Sequence, residues 1–167
     1  MNSSVKLVFY EKHYLEGLNK IHLTEENQRF TQTPIEVLET LYDPNRRMVL
    51  ILNENICVGY FVLHEKEGAL DIGFDDKALL IRSLAINPLE QGKGLAFQGM
   101  EMLPEFVKAH YINISKIVLI VNSKNVPAQK LYQKVGFVEH SSRVHEIHGI
   151  QLVYRYDFLK KQKEGMI

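Results

Sequence analysis

The sequence predicts an α/β fold built on a mixed sheet, and three features of the pattern carry that expectation. Short β-prone runs alternate with stretches of helical periodicity; two early runs flank a tight turn, which makes them antiparallel; and later runs are separated by helical segments long enough for a parallel crossover. With 167 residues the chain can bury one compact core and is too short for two comfortable ones. A single domain over residues 1–167 is expected, with residues 160–167 as a loose charged tail.

Residues 5–10 form the first β-prone run, and Tyr14, Leu15, Leu18 and Ile21 then share one helical face. A second helix is announced by Thr33 as its cap, Pro34 at the first helical position and Glu36 where a capping box wants an acid. Ile35, Leu38 and Leu41 are its expected buried face. Between these helices, residues 24–32 are polar with one aromatic, Phe30, and form either a plain connection or a lid over a pocket. Residues 48–52 and 56–64 are strand-like on either side of Asn53-Glu54-Asn55, residue types that tolerate the left-handed conformations of a hairpin turn. An acidic, glycine-containing stretch follows, and residues 78–86 then form a largely buried strand.

The next helix starts at Leu95 and carries Phe97, Leu103, Phe106 and Val107, but it also contains Gly99 and Pro104. Proline removes the hydrogen bond to the Met100 carbonyl, so a kink or a break near Leu103 is expected. Residues 116–121 make a strongly apolar strand. Asn125 then caps a helix with Pro127 in its first turn, Ala128, Leu131, Tyr132 and Val135 facing inward, and Gly136 as its stop. Two closing strands turn at Gly149, and the alternating Tyr154, Tyr156 and Phe158 belong to the core.

Composition narrows the function. Acidic and basic residues balance at 20 each, which removes the electrostatic case for nucleic acid or an anionic membrane as the main partner. No apolar run approaches the roughly 18 residues needed to cross a bilayer, and Lys6, Glu11 and Lys12 interrupt any signal-peptide core, so a cytoplasmic protein is expected. Cys57 is the single cysteine and lies in an apolar stretch, where it behaves as a small buried hydrophobe. None of the seven histidines shows a two-ligand spacing on a helical face, and His145 and His148 should point to opposite sides; no metal site is predicted.

The chemistry is expected at Gln91-Gly92-Lys93-Gly94-Leu95-Ala96, between the strand end Leu84-Ala85-Ile86 and a helix start. Two glycines let backbone N–H groups approach an anion, and the new helix adds unpaired donors and its positive dipole end. Three phosphate ligands compete for it. A nucleotide-hydrolase loop needs Gly-Lys followed by Ser or Thr, whereas Gly94 follows Lys93 and the pair comes too soon after the first glycine. A dinucleotide fingerprint would put its third small residue on Phe97, and no acid ends the next strand, where Asn122 and Ser123 stand.

The third candidate rests on two stretches in order. Leu84-Ala85-Ile86-Asn87-Pro88 leads into Gln91-Gly92-Lys93-Gly94-Leu95-Ala96, and further on Asn125-Val126-Pro127-Ala128 continues through Leu131-Tyr132-Gln133-Lys134-Val135-Gly136-Phe137. Together they resemble the Gln/Arg-x-x-Gly-x-Gly/Ala acetyl-CoA signature and the second motif of the GCN5-related N-acetyltransferase (GNAT) family. Residues 84–137 carry the resemblance, while residues 1–77 match only in element order.

The resemblance implies the GNAT acyl-CoA N-acyltransferase fold, a central mixed sheet with a splayed strand pair flanked by helices. It implies acetyl-CoA as co-substrate and an amine as acceptor, with no metal. Leu84, Ala85 and Ile86 would bond the pantetheine arm through their backbone, and amides of Gln91, Gly92, Lys93, Gly94, Leu95 and Ala96 would receive the pyrophosphate. Asn125, Ala128 and their helix would lie on the other side of the arm, with Tyr132 near the thioester sulfur as proton donor to the departing thiolate. A phenol near pKa ~10 and a thiol near ~8.5 make full proton transfer uphill by about 2 kcal/mol, so a hydrogen bond to the thiolate is at least as good a role.

An alkylamine near pKa ~10.4 costs roughly 4 to 5 kcal/mol to deprotonate at pH 7, so something must help. Many family members use a glutamate on the strand before the signature, but residues 79–86 offer Arg82 and Ser83 and no carboxylate. A water route, or Glu25 or Glu26 from the first half, takes that role. With the only thiol outside the motifs, direct transfer through a ternary complex is expected over a cysteine acyl carrier. The alternative is a non-catalytic acyl-CoA-binding regulatory module, and a homodimer through the C-terminal strands is compatible with the pattern. The acceptor's identity is not encoded in any recognisable segment.

Overall fold

The computed structural model describes residues 4–159, so the tail expected at 160–167 lies outside the described residues. Seven strands are present: β1 (Val5–Phe9), β2 (Arg46–Asn53), β3 (Ile56–His64), β4 (Ala78–Ile86), β5 (Lys116–Asn122), β6 (Val138–His145) and β7 (Gly149–Asp157). They form one sheet in the order β1-β2-β3-β4-β5-β7-β6. Neighbours run antiparallel except β4 and β5, the one parallel pair. Glu54 and Asn55 turn the β2–β3 hairpin at φ 51° and 67°, the successive left-handed residues that match the right-handed twist of two strands.

Apolar alternation along these strands builds a core on each face. One face buries Ile51, Phe61, Leu79, Ile81 and Leu119 beneath α5 (Leu95–His110) and α6 (Val126–Val135). The other buries Leu50, Tyr60 and Val62 beneath the short helices α1 (Leu15–Leu18) and α3 (Pro34–Leu38), with α2 (Glu25–Gln28) between them in sequence. A smaller cluster, Ala69, Ala78, Leu80 and Val118, seats α4 (Glu67–Leu70) on this same face. Among the described residues no helix is long and apolar enough to cross a membrane.

Three expectations need correction. The capping box of Thr33 and Glu36 is present, but the helix behind it buries Pro34 and Val37 while Ile35 is 64% exposed. A five-residue helix has only one turn to present, and Leu41 falls beyond its end. The helix carrying Pro104 does not break near Leu103; α5 is continuous for 16 residues. Leu103, Pro104 and Val107 are all buried against the sheet, and that packing holds the helix through a residue costing about 3 kcal/mol in isolation. Gly99 fits the same interface, since a Cβ there would press to 3.2 Å from Ile51. His145 and His148, finally, do not diverge. Their rings lie 4.7 Å apart, because the strand ends at His145 and its Nδ1 accepts the backbone N–H groups of Ile147 and His148 in the turn.

Candidate active site

The site originates in a break of the sheet's own hydrogen bonding. The β4–β5 ladder runs only from Ala78 and Lys116 to Ile81 and Leu119; beyond it the strands part, leaving Arg82 through Ile86 facing Ile120 through Asn122 across a gap. A bulge in β4 causes the parting. Val62 pairs with Arg82 and Tyr60 with Ala85, so Ser83 and Leu84 together oppose Phe61, and Ser83 takes φ 61°. The extra residue reverses the alternation, so that Arg82 and Ala85 share a face while Leu84 and Ile86 join the α5 side. Gly59 lies across from this stretch because nothing larger fits: a Cβ would sit 2.6 Å from the Ala85 carbonyl oxygen and 2.7 Å from Ile86.

The gap opens into a cavity of about 660 Å³. At its mouth, Gly92 and Gly94 take φ 84° and 75°, conformations that glycine adopts without strain, and Gly94 caps α5. The first-turn amides of α5 have no partner within the helix and the dipole adds positive potential. Ten of the eleven expected donor-binding residues line the cavity: Leu84, Ala85, Ile86, Gln91, Gly92, Gly94, Leu95, Ala96, Asn125 and Ala128. Lys93 does not; its Nζ turns to Glu90, 2.6 Å away. The Asn125 side chain caps α6 by accepting the Ala128 N–H at 3.3 Å.

Tyr132 also lines the cavity from α6, 8% exposed and packed edge-on to Phe137. Burial pushes its phenol above the ordinary value, so it is a neutral donor throughout the physiological range. Opposite it, the segment around α2 contributes Leu23, Glu26, Asn27, Phe30 and Thr31 to the wall. Of the two glutamates considered as bases, Glu26 therefore faces the cavity and Glu25 does not line it. Gln32 fastens this segment to the sheet: its carbonyl accepts the Tyr60 hydroxyl at 2.6 Å and its Oε1 accepts the Ser83 hydroxyl at 2.7 Å.

Sequence spacing did not reveal a polar cluster on the α4 side, because its members come from separate elements. His64, 3% exposed, stands with Nε2 3.2 Å from Glu67 and 3.7 Å from Asp43, while its Nδ1 lies 3.3 Å from Arg82. The ligand atoms of these two acids and the histidine lie within 4.8 Å of one another, close enough to suit a cation. A guanidinium can only donate, however, so His64 Nδ1 accepts and the ring proton sits on Nε2, directed at Glu67. That tautomer leaves no lone pair toward the carboxylates, and the cluster is a hydrogen-bonded relay. Glu67 is held down to about 2 by its own backbone N–H and by His64.

Cys57 is buried beneath α1, and burial pushes its thiol up to about 11 from 9.0. The neutral thiol is the form favoured by folding, so this contribution is intact below the unfolded value and lost as pH rises toward 11. At pH 8 iodoacetamide should alkylate the folded protein about 100-fold more slowly than the urea-unfolded chain, read by mass spectrometry. Equal rates would show that Cys57 is accessible.

A parallel strand pair that parts in mid-sheet, with a glycine-rich helix start at the mouth and a buried tyrosine inside, defines the class of acyl-CoA N-acyltransferases. Comparison with known proteins agrees. The acetyltransferase (GNAT) family profile matches residues 11–137. An uncharacterized N-acetyltransferase of Bacillus subtilis strain 168, YbbJ, is 37% identical over 145 residues, 86% of this chain and 91% of that protein. The chain belongs to the GNAT acetyltransferase family. Among solved structures, spermidine N-acetyltransferase from Vibrio cholerae in complex with CoA and spermine has TM-score 0.74 at 21% identity, over 96% of this chain and 99% of that one. The aminoglycoside acetyltransferase AAC(6')-Ib in complex with coenzyme A has TM-score 0.78 at 17% identity, over 96% and 98%. At these identities the two structures speak for the fold, and the fold and enzyme class expected from the sequence stand.

Proposed function

We propose that this chain moves the acetyl group of acetyl-CoA directly to a primary amine in a ternary complex, in the cytoplasm. The observation that carries it is the parted β4–β5 pair, which offers an arm-width slot running from an anion-binding helix start to a buried phenol. The pantetheine amides bond the free backbone edge of Leu84 to Ile86, the diphosphate takes the amides around Gly92 and Gly94, and Asn125 and Ala128 close the other side. The amine nitrogen attacks the thioester carbonyl carbon, forming the C–N bond. The tetrahedral intermediate then expels the thiolate, breaking C–S, while the amine's proton leaves to water or to Glu26, and the thiolate, hydrogen-bonded by Tyr132, takes its proton from water.

A thiol-release assay with acetyl-CoA against mixed amine pools tests this. Turnover with at least one pool, and loss of it in heat-denatured protein, is the expected result; tight CoA binding with no release across the pools would leave a binding module. Within an active enzyme, Glu26→Ala should lower kcat about 10- to 100-fold, while Glu25→Ala should not. An unchanged rate in Glu26→Ala would leave the water route.

A further inference from the structure

Arg82 stands at the closed end of the slot, immediately after Ile81 makes the last β4–β5 pair and immediately before the bulge at Ser83. It lines the cavity and is partly buried, yet among the described residues no carboxylate pairs with it. Both nearby acids are committed elsewhere: Asp43 to Arg46 at 3.6 Å and to His64, Glu67 to His64 and to the Asn45 side chain at 2.9 Å. Arg46 is itself close enough to act on Arg82 as a like charge. The side-chain partner Arg82 does have is the neutral Nδ1 of His64, which engages one of a guanidinium's five N–H donors.

A guanidinium held partly out of water with four donors unspent is built to meet an anion. The donor's phosphates are not that anion. Four residues of extended chain separate Arg82 from Ile86, roughly 13 Å, and the glycine turn lies further still. The acceptor enters at the closed end, where the thioester would lie, and there Arg82 is the cation lining the wall. Its aim is fixed from behind: His64 holds it, Glu67 and Asp43 hold His64, and α4 clamps the imidazole so closely that a Cβ on Gly68 would come within 2.7 Å of its Cγ.

We propose that Arg82 receives a carboxylate of the acceptor, so that the substrates are small amines bearing a carboxylate, of the amino-acid kind, with His64 as the residue that positions Arg82. This rests on the acetyltransferase assignment above. It gives each charge of such an acceptor its own group in the cavity lining, carboxylate on Arg82 and amine toward Glu26.

The test uses matched amine pairs differing only in carboxylate against carboxamide, with spermidine as a cationic control, on wild type, Arg82→Gln and Arg82→Lys. In wild type the carboxylate member should have kcat/KM higher by on the order of 10- to 100-fold, carried in KM, and spermidine should be poor. Arg82→Gln should erase that preference with acetyl-CoA affinity unchanged, and Arg82→Lys should restore part of it. Equal use of both members by wild type, a preference for spermidine, or an equal loss on both members in Arg82→Gln would overturn the proposal. Calorimetry of the same pairs binding to the CoA complex separates the two claims. Carboxylate-selective binding that Arg82→Gln abolishes, with no CoA release from any pair, would sustain the role of Arg82 and refute the acetyltransferase assignment; unselective binding would refute the role of Arg82.

Discussion

Gly94→Glu should abolish acetyl-CoA binding while the protein remains folded. Gly94 takes φ 75° at the head of α5, and a Cβ there would meet only the Gln98 amide at 4.0 Å, so space is available and the added side chain projects at the mouth of the slot. Two effects must be separated. A left-handed conformation costs any L-residue about 1 to 2 kcal/mol, which Gly94→Ala reports alone. The glutamate adds repulsion: two unit charges at 4 Å interact by about 4 kcal/mol at a surface-like effective dielectric, or about 1000-fold in affinity. Calorimetry should therefore show a loss of that order for Gly94→Glu against tenfold or less for Gly94→Ala, with both melting cooperatively. Unchanged affinity in Gly94→Glu would mean that the diphosphate is bound elsewhere.

Tyr132→Phe should lower kcat about 100-fold with acetyl-CoA affinity retained. The hydroxyl is lost while the ring's edge contact with Phe137 and its burial are kept, so folding is not the variable. Burial raises the phenol, which makes complete transfer of its proton to a thiolate more uphill than the ordinary values imply and leaves hydrogen bonding to the developing charge as its contribution. The sign of the shift also fixes the pH dependence. A raised phenol stays neutral below its ordinary value near ~10 and is lost as donor only above it, so the wild-type rate should show no descending limb from Tyr132 below pH ~10. A kcat for Tyr132→Phe equal to wild type at saturating substrates would exclude this role.

What the sequence revealed follows the range of the interactions involved. The hairpin at Glu54-Asn55, the caps at Thr33 and Asn125 and the strand from Ala78 to Ile86 are set by neighbours in the chain, and each was legible. The glycine turn and Tyr132 were legible too, because a helix start and a helix face are local objects. The break considered at Pro104 is absent because the burial that holds the helix together comes from the sheet beneath α5, far away in sequence. Ile35 was misjudged because periodicity assumes more than one turn. The Asp43–His64–Glu67–Arg82 relay was not read: His64 and Glu67 are three apart in the chain, but Asp43 comes from a turn and Arg82 is brought beside His64 by the β3–β4 register. The Thr24 cap was the missed local signal, since its side chain accepts the Asn27 N–H at 3.1 Å and begins the short helix that brings Glu26 to the wall.

The parted strands have a further consequence for how safely the chain can carry them. Unpaired β-edges invite association with other chains, and proteins usually blunt them with charge, proline or cover. Here the sticky stretch from Leu84 to Ile86 is an inner edge, walled by β3 on one side and roofed by α5 and α6 on the other face. Its free backbone groups face a cavity lined by other parts of the same chain and not an outer edge of the sheet. The exposed edge and its cover thus go together, because the bulge opens the sheet from within and not at its outer strands β1 and β6.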